Sequence, residues 1–347
     1  MRLANILLNR CIHRWDGAMA NLSRMVCQDL MKKMNSNITF GDVLSSRLLF
    51  QLSMALQERI EAIHPLKSGK WRVCTDKNHW FLKQYATEKQ FRKQWKITEK
   101  LLAAKFYTII PFHPSSPFIV DKSIFALMPF IPSSSRAYTF QTKKEREKAL
   151  RLLRTFHVQT AEFVNELDEV SPLDQLTRWQ QRLDFFKESL PQLQHYFPKS
   201  LLISYIEMGK WSLDQLVKRG EQQRDPVIIH GDVVAHNFLQ SKNGQLFLID
   251  FDLAARAPAM HDYLQFANRV LPIVDWDLDQ VMEGEVLTEF KDEEEFYLHL
   301  LFPTDVFREC RRLIRSINGN YQHAYDLTVT NFEKREAFFL KWKNELA

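Results

Sequence analysis

Between Val227 and Asp252, two short apolar runs, Val227-Ile228-Ile229 and Leu246-Phe247-Leu248-Ile249, bracket a polar stretch carrying His230, Asp232, His236 and Asn237; the second run ends on Asp250. β-Branched and apolar runs of this length read as buried strands, with Ser241–Gly244 as a turn between them. Adjacent strand ends would then bring two carboxylates and an amide to one place. Turn chemistry alone accounts for any one of the three, since short Asx side chains settle at turns and strand ends. All three together, at this spacing, also have a chemical reading.

Phosphoryl transfer needs a carboxylate to orient and deprotonate the attacking hydroxyl, and an Asn and an Asp to hold Mg²⁺ on the nucleotide phosphates. Asp232, Asn237 and Asp250 supply that set, and Asn237 follows Asp232 by five residues, the interval of the kinase catalytic loop. His230-Gly231-Asp232 stands where that loop has His-Arg-Asp, and Ile249-Asp250-Phe251-Asp252 where a kinase has Asp-Phe-Gly. The pair of motifs resembles the aminoglycoside phosphotransferase and choline kinase-like family, especially its bacterial spore-coat-associated branch. The resemblance implies a two-lobed, protein kinase-like α+β fold: a helical extension over 1–42, a small β-rich nucleotide lobe over 43–130, and a larger, mostly helical lobe over 131–347. It also implies ATP as donor, Mg²⁺ held by Asn237 and Asp250, Asp232 as catalytic base, and a small-molecule hydroxyl as acceptor. A kinase-like module without turnover is the alternative. A metallohydrolase built on His230, Asp232 and His236 would leave Asn237 and Asp250 without a role.

Upstream, Trp71–Thr75 and Trp80–Tyr85 read as a hairpin across Asp76-Lys77-Asn78. Lys83 alternates onto the face of Phe81 and Tyr85, an apolar setting for a lysine. An edge-strand lysine is the plain alternative. By the resemblance, Lys83 pairs the α/β-phosphates, Phe81 roofs the adenine, Ser68 in Lys67-Ser68-Gly69-Lys70 meets a phosphate oxygen, and Leu127–Ile131, with Met128 and Phe130, forms the hinge beside the base. Val43–Ile60 and Glu88–Phe106 read as helices. Taking Phe91, Trp95 and Leu102 as the inward face of the second, Glu99 points the same way and becomes the partner of Lys83, with Glu88 as runner-up. Asp262 resembles the family aspartate that ties the segment after Asp250 back to the catalytic loop; a helix N-cap is its other reading. His157, beside Phe156, reads as a packed core histidine.

A net charge of +5 over 347 residues does not indicate a nucleic-acid partner. Cys11, Cys27, Cys74 and Cys310 lack metal-ligand spacing and read as reduced thiols, which suits a cytoplasmic protein. No run is long enough for stable membrane insertion. Residues 1–35 form a basic amphipathic stripe that suits its own domain, a partner helix or a membrane surface. The acid-rich stretch over 275–295 is either a solvated face or a field that draws a cationic acceptor, an amine or amino sugar.

Overall fold

The computed structural model describes residues 42–220, 222–315 and 320–346, so the expected amino-terminal extension lies outside the described residues, apart from Asp42. The chain forms two compact units. The first runs to Leu102 and takes in Ile110–Pro132. Its helix α1 (Asp42–Leu56) stops short of the expected end at Ile60, because that residue opens a strand, β1 (Ile60–Lys67). With β2 (Lys70–Thr75), β3 (His79–Tyr85), β4 (Phe118–Val120) and β5 (Ser123–Pro129), β1 makes an antiparallel sheet ordered β1-β2-β3-β5-β4. Pro65 hides β1 from a sequence reading; it is tolerated because β1 is an edge strand, where one row of N–H groups has no ladder to serve. Asp121 and Lys122, both at positive φ (48° and 68°), close the β4–β5 hairpin.

Strand alternation sorts this sheet into two faces. Val73, Leu82, Phe125 and Leu127 pack with Leu48, Leu49 and Leu52 of α1 in one core. The opposite face carries Phe81, Lys83 and Tyr85, with Met128 across from Phe81 and Ala126 across from Lys83. Helix α2 (Glu88–Ala103) covers part of it through Phe91, which clusters with Tyr85, Ile124 and Ala126.

The second unit holds Ala103–Ile109 and everything from Ser133 onward, and is mostly helical. Helix α3 (Lys143–Ala161) starts at a capping box between Thr142 and Glu145, α4 (Gln175–Glu188) is capped by Asp174, and α5 (Lys199–Arg219) ends at Gly220, φ 73°. Two small antiparallel ladders follow: β6 (Val227–Ile229) with β9 (Ala255–Ala257), and β7 (Phe238–Gln240) with β8 (Leu246–Leu248). The two apolar runs seen in the sequence are therefore not partners of each other; each pairs with a neighbour that sequence patterning did not mark. Helices α6 (Met260–Val270), α7 (Glu294–Leu301), α8 (Thr304–Arg315) and α9 (Phe332–Leu346) complete the elements used below. Among the described residues no helix is long and apolar enough to cross a membrane.

Candidate functional site

In the second unit the loop after β6 is fixed at both ends to one residue. The His230 ring meets the Ile249 carbonyl through Nε2 at 2.9 Å, and the Ile249 N–H donates to the Asn237 carbonyl at 3.0 Å. Ile249 directly precedes Asp250, so the loop bearing Asp232 and Asn237 is clamped to the strand end that bears Asp250. His230 Nδ1 accepts the Asp232 N–H at 3.3 Å, which assigns the proton to Nε2. Asn237 Nδ2 donates to the Asp232 carbonyl at 2.9 Å and lies 3.4 Å from Asp232 Oδ2. The amide nitrogen is thus committed to the loop, leaving Oδ1 as the donor atom for a hard cation. Asp250 adopts the left-handed conformation, φ 71° and ψ 65°. Non-glycine residues hold that region rarely, Asp and Asn among the most tolerant, and such positions gather at functional sites.

Gly231 explains why this loop has no arginine where a kinase has one. Its φ is 77°, and a Cβ there would stand 2.2 Å from the Leu253 carbonyl oxygen. No side chain fits. Asp262 is fully buried and is not an N-cap, since Ala259 occupies that position. Its carboxylate accepts the His230 N–H at 2.7 Å and the Gly231 N–H at 2.9 Å, and lies 2.8 Å from His157 Nε2. Burial alone would raise the Asp262 pKa, but the hydrogen bond and charge of His157, with His230 and the Gly231 N–H, bring it below the ordinary carboxylate value. His157 is a buried core histidine, as its sequence context suggests, and it serves this carboxylate.

The metallohydrolase alternative finds no support in this geometry. Both His230 nitrogens are engaged with the backbone, His236 is exposed, and no cluster of three His, Cys, Asp or Glu side chains suited to a metal occurs among the described residues. Asn237 Oδ1 and the Asp250 carboxylate would instead offer two oxygen atoms to a cation that completes its shell with phosphates and water, as Mg²⁺ does.

In the first unit Lys83 is 4% exposed. Its Nζ lies 3.3 Å from Gln94 Oε1 and 4.9 Å from the centre of the Tyr85 ring, and the Tyr85 hydroxyl donates to the same Gln94 oxygen at 2.9 Å. The expected pairing of Lys83 with Glu99 is not formed. Glu99 is exposed and bonds to Lys96 at 2.9 Å, and the runner-up Glu88 bonds to Arg92 at 2.6 Å. The inward stripe of α2 is Phe91, Gln94, Ile97, Thr98 and Leu101, so the face drawn through Trp95 and Leu102 was out of phase by about one residue, roughly 100°. A glutamine on that stripe gave no signal to a search for carboxylates.

Phe81 is half-buried and Met128 buried, while Ser68 is exposed at the tip of the β1–β2 hairpin. Phe130 carries the Arg72 guanidinium 4.8 Å from its ring centre, and Arg72 is also the cross-strand neighbour of Phe81. The Phe130 N–H is already used by the His79 carbonyl at 3.0 Å. Pro129 and Pro132 have no N–H, so of the donors expected along the hinge the Phe130 one is spent.

A model of the phosphotransferase enzyme family matches residues 63–287. Among solved structures, an aminoglycoside phosphotransferase from Alicyclobacillus acidocaldarius is similar with a TM-score of 0.62 and 16% identity, over 83% of this chain and 92% of its own. An AMP-bound spectinomycin phosphotransferase gives 0.60 and 14% over 84% and 97%. A choline kinase from Streptococcus pneumoniae gives 0.50 and 13% over 86% and 99%. At these identities the likeness is one of fold. No protein of curated function matches the chain.

Proposed function

The chain belongs to the phosphotransferase enzyme family and has its kinase-like α+β fold, and from that premise we propose that it transfers the γ-phosphoryl group of ATP to a hydroxyl of a small molecule. The observation that carries this reading is the clamp at Ile249, which holds Asp232, Asn237 and the start of Asp250 in one rigid segment. Asp232 would orient the acceptor hydroxyl and take its proton as the new O–P bond forms and the bond to ADP breaks. Asn237 and Asp250 would hold Mg²⁺, whose charge offsets that of the transferred phosphoryl group. Lys83, steadied by Gln94 and Tyr85, would bind α/β-phosphate oxygens. Phe81, Met128 and Phe130 would line the base, with the Ile131 N–H as hinge donor, and Ser68 would approach the phosphates from the hairpin tip.

Cys74 and Cys310 are free thiols, which supports a cytoplasmic setting, where ATP is also available. Placement in the spore-coat-associated branch rests on the motif pair alone. A cationic acceptor, amine or amino sugar, rests on the acids of 275–295, and their pairing weakens it: Glu283 bonds to Lys143 at 3.0 Å, Glu285 to Arg154 at 3.1 Å, Glu294 to Arg219 at 3.2 Å, and Asp277 caps a helix. The reading as a module without turnover draws on one observation, the amide of Gln94 where a carboxylate was expected.

The test is ATP binding and ADP release by the purified chain. Affinity for ATP should fall sharply when Mg²⁺ is chelated, because Asp250 and the phosphates repel each other without it. Asp232→Asn should abolish transfer with ATP affinity kept within a few-fold, whereas Asp250→Asn should weaken Mg·ATP binding as well. Equal ATP affinity with Mg²⁺ and with chelator would overturn the assignment.

A further inference from the structure

Helix α6 runs along the catalytic loop: Asp262 takes the His230 and Gly231 N–H groups, and Gln265 Oε1 takes the Val233 N–H at 3.1 Å. Those contacts bracket Asp232. Residues three and four apart share a helix face, so Arg269 stands one turn beyond Gln265 on the face that holds this loop. Asp232 acts on its guanidinium electrostatically. Arg269 is only half-buried, and among the described residues it has no hydrogen bond or ion pair.

Its surroundings are basic. Burial and then the charge of Arg308, on α8, lower the Arg269 pKa, and the same two causes, followed by Arg178, Arg311 and Arg312, pull Arg182 on α4 down to about 10. Arg182 has only the Thr304 hydroxyl as hydrogen-bond partner, and Arg308 Nη2 is buried with none. The acids close by are shared among several arginines: Asp305 bonds to Arg335 at 2.6 Å through one oxygen and also acts on Arg269 and Arg308, and Glu309 bonds to Arg308 and Arg312 at 2.9 Å each. The guanidinium groups gathered here outnumber the acids among them, a costly excess of half-buried charge, and their planar fork matches a carboxylate or phosphate.

We infer that the acceptor carries an oxyanion, a carboxylate or phosphate group, held by Arg269 together with Arg308 and Arg182 while its hydroxyl reaches Asp232. This rests on the phosphotransferase reading and fixes its substrate class: an anionic alcohol rather than an amine. An aminoglycoside or choline-like cation would meet like charge at this position.

The experiment measures binding of inorganic phosphate and, separately, malonate to the full chain saturated with Mg·ADP, by thermal shift and calorimetry, in the wild type, Arg269→Gln and Arg269→Lys. Arg269→Gln should weaken oxyanion binding at least tenfold with Mg·ATP affinity unchanged, and Arg269→Lys, which keeps the charge without the fork, should lie between. A preference for phosphate or for malonate names the group. In ADP-release assays, glycerate or glycerol 3-phosphate should outrun glycerol and choline at least tenfold. Equal oxyanion binding by wild type and Arg269→Gln, no oxyanion binding with Mg·ATP bound normally, or turnover of choline ahead of both anions would overturn the inference and leave the phosphotransferase reading standing. Failure to bind Mg·ATP at all would sink that reading, and this one with it.

Discussion

A lysine held at 4% exposure on a strand must find acceptors, and the first here is an amide oxygen rather than a carboxylate. Gln94 Oε1 receives both Lys83 and Tyr85, so one side chain fixes the position of two. Glu99 only pairs with Lys96 at the surface, an interaction worth about 0–1 kcal/mol. Gln94→Ala should therefore lower kcat/KM for ATP by about tenfold, the size of one charge-assisted hydrogen bond. Glu99→Ala should leave it within twofold. Steady-state kinetics with ATP varied separates them, and a large loss from Glu99→Ala would restore the ion pair that the sequence suggested.

The elements around the loop of Asp232 are joined by close backbone approach and one buried acid. Gly231 lets the loop lie against the segment Phe251–Leu253, and Asp262 reaches from α6 to hold the turn from beneath. Gly231→Ala combines left-handed strain with a collision against a carbonyl oxygen, and should cost roughly 2–5 kcal/mol. Asp262→Ala leaves two backbone N–H groups and His157 facing a void, and should cost roughly 3–5 kcal/mol. Urea midpoints at neutral pH measure both; a loss below about 1 kcal/mol in either variant would mean that the loop relaxes around the change.

Over the whole molecule, buried titratable groups set how stability changes with pH. Burial, then the neighbouring His299, depress His261 from 6.5 to about 4. In the unfolded chain His261 takes its proton near its ordinary value, whereas the folded protein resists it until about pH 4. Its contribution to stability is therefore full above pH 6.5 and is lost progressively as pH falls from there toward 4. Asp262 and Asp305 are held below the ordinary carboxylate value, so their contributions are present above that value and vanish as pH falls through the folded one. The urea midpoint should thus decline on the acid side, and His261→Gln should flatten the part between pH 6.5 and 4. An unchanged slope in that variant would remove His261 from the account.

Sequence by itself determined what depends on neighbours along the chain. The five-residue interval from Asp232 to Asn237 becomes a hydrogen bond between them, because a loop that short allows few ways for an amide to meet the carbonyl behind it. Alternation turns Lys83 to the face of Phe81 and Tyr85, because strand geometry leaves no other option. Tertiary structure decided what depends on distant partners. A helix repeat specifies a stripe only up to its phase, and the sheet beneath α2 chose the stripe with Gln94 over the one with Glu99. Strand pairing joined β6 to β9, whose three residues carry no apolar pattern strong enough to stand out. Basic residues on other elements took up the acids of 275–295, and α6 brought Arg269 to the loop of Asp232. Charge acts through space, so which charges stand together could be read only once the chain was folded.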